Sequence, residues 1–310
     1  MKAAVRTRGL PPVLAVDAPP LAGTRLADYV ELTKPRIAVL VLFTVAAGAV
    51  LAGGGAVDPL VLLHTLLGTA LVAAGASALN QWLERHSDGL MKRTANRPLP
   101  AGRLQPLEAA AFGAGLGLAG LVYLAVLLPQ PWAALVAAVT FASYVFLYTP
   151  LKRVTSLNTL VGAVPGALPP LIGWTAVRGS LDDTAVALFA VVFFWQVPHF
   201  LAIAWIYRED YGRAGLRMLP VADRGGKLTG RQMFNYCLAL IAASLMPVAS
   251  GSAGWLYTAG ALLLGLGFLA CTVSFWRCGT TASARRVLRA SLLYLPALLT
   301  LLLLSVASGQ

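Results

Sequence analysis

The chain has 310 residues, of which 58% are hydrophobic and only 12% charged, whereas a water-soluble domain usually carries about 25% charge. That balance excludes a soluble globular protein and fits an all-α polytopic membrane protein. The formal net charge of +12 calls for no nucleic acid, because a basic face against anionic membrane lipid accounts for it.

The first 25 residues are polar and proline-rich and lack an apolar core followed by a cleavage site, so a flexible cytoplasmic arm over 1–28 is expected rather than a signal peptide. Arg6, Arg8 and the absence of acids before Asp17 leave a mitochondrial presequence open. Residues 29–310 are expected to form one membrane domain. A spanning helix needs about 20 mostly apolar residues. Nine runs qualify, at roughly 35–55, 60–82, 107–128, 131–149, 158–176, 184–206, 232–250, 254–275 and 288–307. Lys and Arg crowd the N-terminal segment and the second, fourth, sixth and eighth loops, leaving only Arg178 on the other side. By the positive-inside rule the N-terminus is cytoplasmic and, with an odd number of spans, the C-terminus is outside. The long polar loops then share the cytoplasmic face, where chemistry is expected.

The second span runs into NQWLERHSDGLMKRTANRPLP (80–100). Asn80, Glu84 and Asp88 recur every fourth residue and therefore share one helix face, about 6 Å apart per step. Two carboxylates and an amide oxygen on one face repel each other unless a cation lies between them, and hard oxygens of this kind suit Mg²⁺ bridged to a substrate phosphate. Lys92, Arg93 and Arg97 follow at once and can contact phosphate oxygens that a metal leaves uncovered. On spacing alone, a solvated helix end whose charges neutralise one another explains the same residues.

Farther along, YTPLKRVTSLN (148–158) places Lys152 and Arg153 on the same face, either as an inner-loop anchor or as another wall of that pocket. The fifth span contains Pro165, Pro169 and Pro170, which remove backbone donors and predict a kink whose freed carbonyls need partners. The sixth, WQVPHFLAIAWIYREDYGRAGLRMLPV (195–221), holds His199 within an apolar helix, a functional candidate by default. If that helix continues, Asp210 shares the His199 face three turns on. Glu209, Arg208, Arg213 and Arg217 repeat the mixing of acids and bases. Cys237, Cys271 and Cys278 have no metal-like spacing and read as packing residues.

NQWLERHSDGLMKRTANRPLP resembles the first aspartate-rich motif of the UbiA superfamily of intramembrane prenyltransferases, with the RTxxRPLP tail typical of it. The blocks at 148–174 and 195–221 look like the haem O synthase branch, and the resemblance runs from about Leu32 to Val221. It implies a nine-helix UbiA-type bundle in a bacterial cytoplasmic membrane, with the active site facing the cytoplasm. The implied reaction is Mg²⁺-dependent farnesyl transfer from farnesyl diphosphate to a vinyl group of haem b, here a substrate rather than a cofactor, giving haem O for terminal oxidases. Carried over by position, Asn80, Glu84, Asp88 and Asp210 are catalytic, with Glu84, Asp88 and Asp210 on the metal. Arg93, Arg97, Lys152, Arg153, His199, Tyr207 and Arg217 are the implied substrate contacts, His199 facing the haem. Two departures stand out: Glu84 occupies a position that is more usually Asp, and the common second motif D-x-x-x-D is replaced by Y-R-E-D-Y, so a second metal clamp is not secured. A prenyltransferase for an aromatic quinone precursor, a secondary transporter and a haem carrier are the competing readings; acids crowded with arginines at helix ends favour a metal–phosphate site over the transporter.

Overall fold

The computed structural model describes residues 24–308, all helix, turn or loop. The arm expected over 1–28 lies outside the described residues as far as residue 23. From Arg25 the chain is helical. Nine of the described helices are long and apolar enough to cross a membrane: Pro35–Ala52, Pro59–Gly89, Pro106–Leu127, Pro131–Leu151, Asn158–Arg178, Asp183–Ile206, Lys227–Ala249, Trp255–Cys278 and Thr281–Ala307. They are the nine spans expected, in the same order. Several outrun their apolar runs, because helical hydrogen bonding continues past the hydrocarbon until a cap stops it. The second span reaches Gly89 rather than 82, and the ninth begins at Thr281 behind the Thr280 N-cap, whose hydroxyl accepts from Ser283 N.

Each of the first four spans starts on a proline, Pro35, Pro59, Pro106 and Pro131, where the missing N–H costs no intrahelical bond. The fifth and sixth spans form the centre, with 67% and 61% of their apolar windows buried; the fourth, at 17%, is the most peripheral. Around that centre the first span packs on the second half of the fifth, the second on the third, the seventh on the sixth and eighth, and the ninth on the sixth and eighth. Leu118, Val126, Val139, Leu263 and Leu293 remain exposed on outer faces, as a lipid-facing surface requires.

The prolines of the fifth span act as expected. The helix breaks at Leu168 into Asn158–Ala167 and Pro169–Arg178. Gln196 of the sixth span donates its amide to Ala163 O (3.3 Å) beside the break. Past the break the fifth span lies almost against the backbone of the first. A Cβ on Gly173 would stand 1.9 Å from Val45 O, and one on Gly48 2.0 Å from Pro170 O. Small residues at such crossings let helices associate without a hydrophobic driving force.

Gly173→Val is expected to force these two spans apart and destabilise the protein by about 1–3 kcal/mol or more. Gly115, where an added Cβ would meet no atom within 4 Å, is expected to accept alanine with an unchanged melting temperature in detergent.

Candidate active site

Asn80, Glu84 and Asp88 lie on one face of the last three turns of the second span and are all buried. Each oxygen-bearing group meets a cation from a different part of the chain. Asn80 Oδ1 accepts from Lys34 Nζ (2.9 Å), Glu84 Oε1 from Lys152 Nζ (2.6 Å) and Asp88 Oδ2 from Arg97 Nη1 (2.7 Å). Together they line a cavity of about 180 Å³ with Arg93, Tyr144, Tyr148, Tyr211, Met91, Leu216 and Met218. Four basic side chains therefore face two carboxylates in the pocket.

The local sequence explains how each group arrives. Arg97 returns to Asp88 because the chain turns tightly after Gly89; Thr94 Oγ1 donates to Asp88 O (2.8 Å) and fixes that turn. Lys152 follows a π-helical turn, Ser143–Tyr148, and π-bulges recur at functional sites. The turn presents Tyr144 and Tyr148, and Lys152 Nζ sits 4.5 Å from the Tyr148 ring centre. Burial alone would lower the Lys152 pKa, but Glu84 and the two tyrosines hold its ammonium above the ordinary value.

Lys34 ends a short helix, Arg25–Thr33, that packs beside the second loop. The following Pro35 disfavours right-handed helix at Lys34, and among the described residues Lys34 is the one non-glycine with positive φ (50°). Such a conformation costs roughly 1–2 kcal/mol, so the contacts of the short helix must hold it. Arg103 bonds buried Asp28 (2.7 Å) and Glu31 (3.0 Å), Gln81 donates to Leu32 O (3.0 Å), and Arg25 pairs with Glu108. Burial, then the neighbouring Arg97 charge, lowers Lys34 to about 7, so an added anion nearby would favour its charged form.

The donor set fits a hard divalent cation such as Mg²⁺. Asp88 Oδ1 is buried without a protein partner, and one or two carboxylates with an adjacent amide oxygen are the ligands such an ion takes alongside phosphate.

Of the residues singled out in the sequence, Asn80, Glu84, Asp88, Arg93, Arg97 and Lys152 come together in this cavity. The others lie elsewhere. Arg153 is exposed, with Nη2 3.4 Å from Ser87 Oγ. Tyr207 stacks against Arg93. Arg217 joins two loops, its N–H donating to Lys152 O (2.8 Å) and its carbonyl accepting from Asn158 (2.9 Å). The sixth span does not continue from His199 to Asp210: it stops at Ile206, and Tyr207 leaves helical geometry (φ −107°, ψ 21°). Asp210 is thereby carried onto a separate short helix, Arg208–Arg213, where it pairs with Arg213. The expected trio Glu84, Asp88 and Asp210 is not assembled; among the described residues no group of three or more His, Cys, Asp or Glu could hold a metal. His199 is stacked on Trp195 with its ring nitrogen Nδ1 2.7 Å from Ser291 Oγ of the ninth span.

Sequence reasoning missed Lys34, Tyr144, Tyr148 and Tyr211. Tyr148 and Lys152, four apart on one helix face, were the available signal; Lys34 read as one more basic residue at a membrane edge.

The UbiA prenyltransferase family model matches residues 41–304. The protoheme IX farnesyltransferase of Solibacter usitatus is 49% identical over 290 residues, covering 90% of this chain and 98% of that protein. The protein of the same name from Salinibacter ruber is 46% identical over 282 residues, with 90% and 98% covered. Among solved structures, a digeranylgeranylglyceryl phosphate synthase superposes with a TM-score of 0.77 at 17% identity, covering 92% of this chain and 99% of its own. A UbiA homolog from Archaeoglobus fulgidus bound to GPP and Mg²⁺ gives 0.60 at 15% identity, covering 89% and 99%. These solved structures share the fold, and the sequence matches carry the assignment: the chain belongs to the UbiA prenyltransferase family.

Proposed function

We propose that this chain transfers the farnesyl group of farnesyl diphosphate to a vinyl group of haem b, producing haem O for terminal oxidases. The observation that carries the reading is the buried cavity in which Asn80, Glu84 and Asp88 meet Lys34, Arg93, Arg97 and Lys152 at one end of an apolar bundle. The names of relatives at 41–49% identity supply the acceptor. In this reading the cavity faces the cytoplasm of a bacterial inner membrane, the side that the distribution of Lys and Arg favours.

Glu84 and Asp88, with Asn80, would hold Mg²⁺, which would supply Lewis-acid stabilisation of the charge on a leaving diphosphate. Lys34, Lys152, Arg97 and Arg93 do the same through N–H donors already fixed in place, so little reorganisation accompanies departure of the diphosphate. Tyr144 and Tyr148 offer ring faces to the electron-poor allylic carbon, and Met91, Leu216 and Met218 keep water from it. The isoprenoid tail extends into the apolar bundle. His199, fixed by Ser291, is the residue assigned to haem.

Membranes containing the protein, incubated with haem b and farnesyl diphosphate, are expected to yield a haem heavier by one farnesyl and one hydroxyl group by mass spectrometry. Chelation with EDTA is expected to abolish it and added Mg²⁺ to restore it. Prenylation of a quinone precursor with haem left unchanged would overturn the acceptor.

Asp88→Asn removes a ligand charge and leaves Arg97 unpaired, so a fall in kcat of about 10²-fold or more is expected, with a higher Mg²⁺ requirement. Lys34→Gln is expected to raise KM for farnesyl diphosphate about tenfold, the loss of one charge-assisted contact, while KM for haem stays unchanged. Steady-state kinetics with each substrate varied separately checks both.

A further inference from the structure

A second space lies against the candidate active site. It is a cleft of about 490 Å³, open to the surface, between the short helix Arg25–Thr33 and the start of the first span. Lys34, Arg36, Ile37, Gln81, Arg97 and Glu31 are in its lining. Lys34, Ile37 and Arg97 also line the inner cavity, so the two spaces meet at those three side chains. Arg36 and Gln81 belong to the cleft alone, and Arg93 and Lys152 to the cavity alone.

The cleft suits an anion rather than a metal. Its one carboxylate, Glu31, is exposed and already paired with Arg103 (3.0 Å). Lys34 and Arg97 are engaged on the inner side, with Asn80 (2.9 Å) and Asp88 (2.7 Å). Arg36 is exposed and makes no hydrogen bond or ion pair among the described residues, so its whole guanidinium fork is available to phosphate oxygens. Gln81 adds an independent sign of a ligand. It is 1% exposed, its Nε2 donates to Leu32 O (3.0 Å), and its Oε1 is buried without a protein partner. An acceptor left unpaired in this way is costly, and a P–OH group would satisfy it.

Resting on the reading that the inner cavity takes a prenyl diphosphate, we propose that this cleft is a second phosphate site, which receives the inorganic diphosphate once the farnesyl group has been transferred. Breaking the allylic C–O bond leaves its electron pair on the former ester oxygen. The leaving group therefore carries more negative charge than the substrate did, and it takes up a proton from water to form a P–OH. Lys34 and Arg97 touch both spaces, so an anion moving outward keeps basic partners throughout. Arg36 then supplies N–H donors free of any carboxylate, and Gln81 Oε1 accepts from the P–OH.

The test measures two ligands separately, without turnover and without haem. The full chain in phosphatidylcholine nanodiscs is titrated with radiolabelled inorganic diphosphate in EDTA, and in parallel with Mg²⁺ and a non-ionising thiolo analogue of farnesyl diphosphate. Arg36→Gln is expected to weaken inorganic diphosphate about tenfold and to leave the affinity for the analogue unchanged. Arg93→Gln, which alters the inner cavity alone, is expected to do the reverse. Both arginines are exposed, and an unchanged melting temperature confirms that the variants are folded. Replacing part of the phosphatidylcholine by phosphatidylglycerol is expected to leave the binding of inorganic diphosphate in place.

Complete loss of that binding in the phosphatidylglycerol nanodiscs would assign the cleft to a lipid headgroup and overturn the proposal. Inorganic diphosphate that does not bind, or binds equally well to Arg36→Gln, would overturn it too, as would an equal loss of both ligands in either variant, the mark of a single site. Absence of Mg²⁺-dependent analogue binding would overturn the reading of the inner cavity and the transfer with it, a separate failure because inorganic diphosphate is measured apart.

Discussion

Two carboxylates and an amide buried at the end of an apolar helix set the terms for everything around them. Asn80, Glu84 and Asp88 are all buried, and a buried charge without a partner costs several kcal/mol. The fold answers by bringing one cation to each group, from three separate places: Lys34 before the first span, Arg97 from the second loop and Lys152 after the fourth. The π-helical turn, the left-handed residue and the tight turn after Gly89 all serve to deliver these partners.

The same arrangement is suited to release. Asp88 Oδ1 keeps no protein partner, and the basic side chains outnumber the carboxylates. On the function proposed above, a metal and a diphosphate would redistribute contacts that exist already, which is a form of preorganisation. The apolar surroundings make each of those contacts stronger than it would be in water.

Hydropathy located nine spans because the bilayer imposes one length on every crossing helix, and the four-residue spacing of Asn80, Glu84 and Asp88 survives folding because a helix preserves it. The remaining half of the site joins residues far apart in sequence, such as Lys34 with Asn80 and Lys152 with Glu84, and no local pattern records such meetings. Asp210 leaves the His199 face for a related reason. Its shared face with His199 depended on an unbroken helix, and a single residue, Tyr207, ended it. The position of His199 was legible, but its bond to Ser291, 92 residues later, was not.

The short helix Arg25–Thr33 has a consequence for the order in which the molecule is assembled. It leaves the ribosome before any of its anchors, since Arg103 lies 75 residues beyond Asp28 and Glu108 lies 83 beyond Arg25. Until the second span and the second loop exist, neither Gln81 and Asn80 nor Arg103 and Glu108 can hold this helix and Lys34 in place, and the first span can enter the membrane without a finished pocket. Docking of this helix is thus a late event that seals the site only after the second span is inserted. On the function proposed above, an allylic diphosphate would meet the full set of cations only once that docking is done.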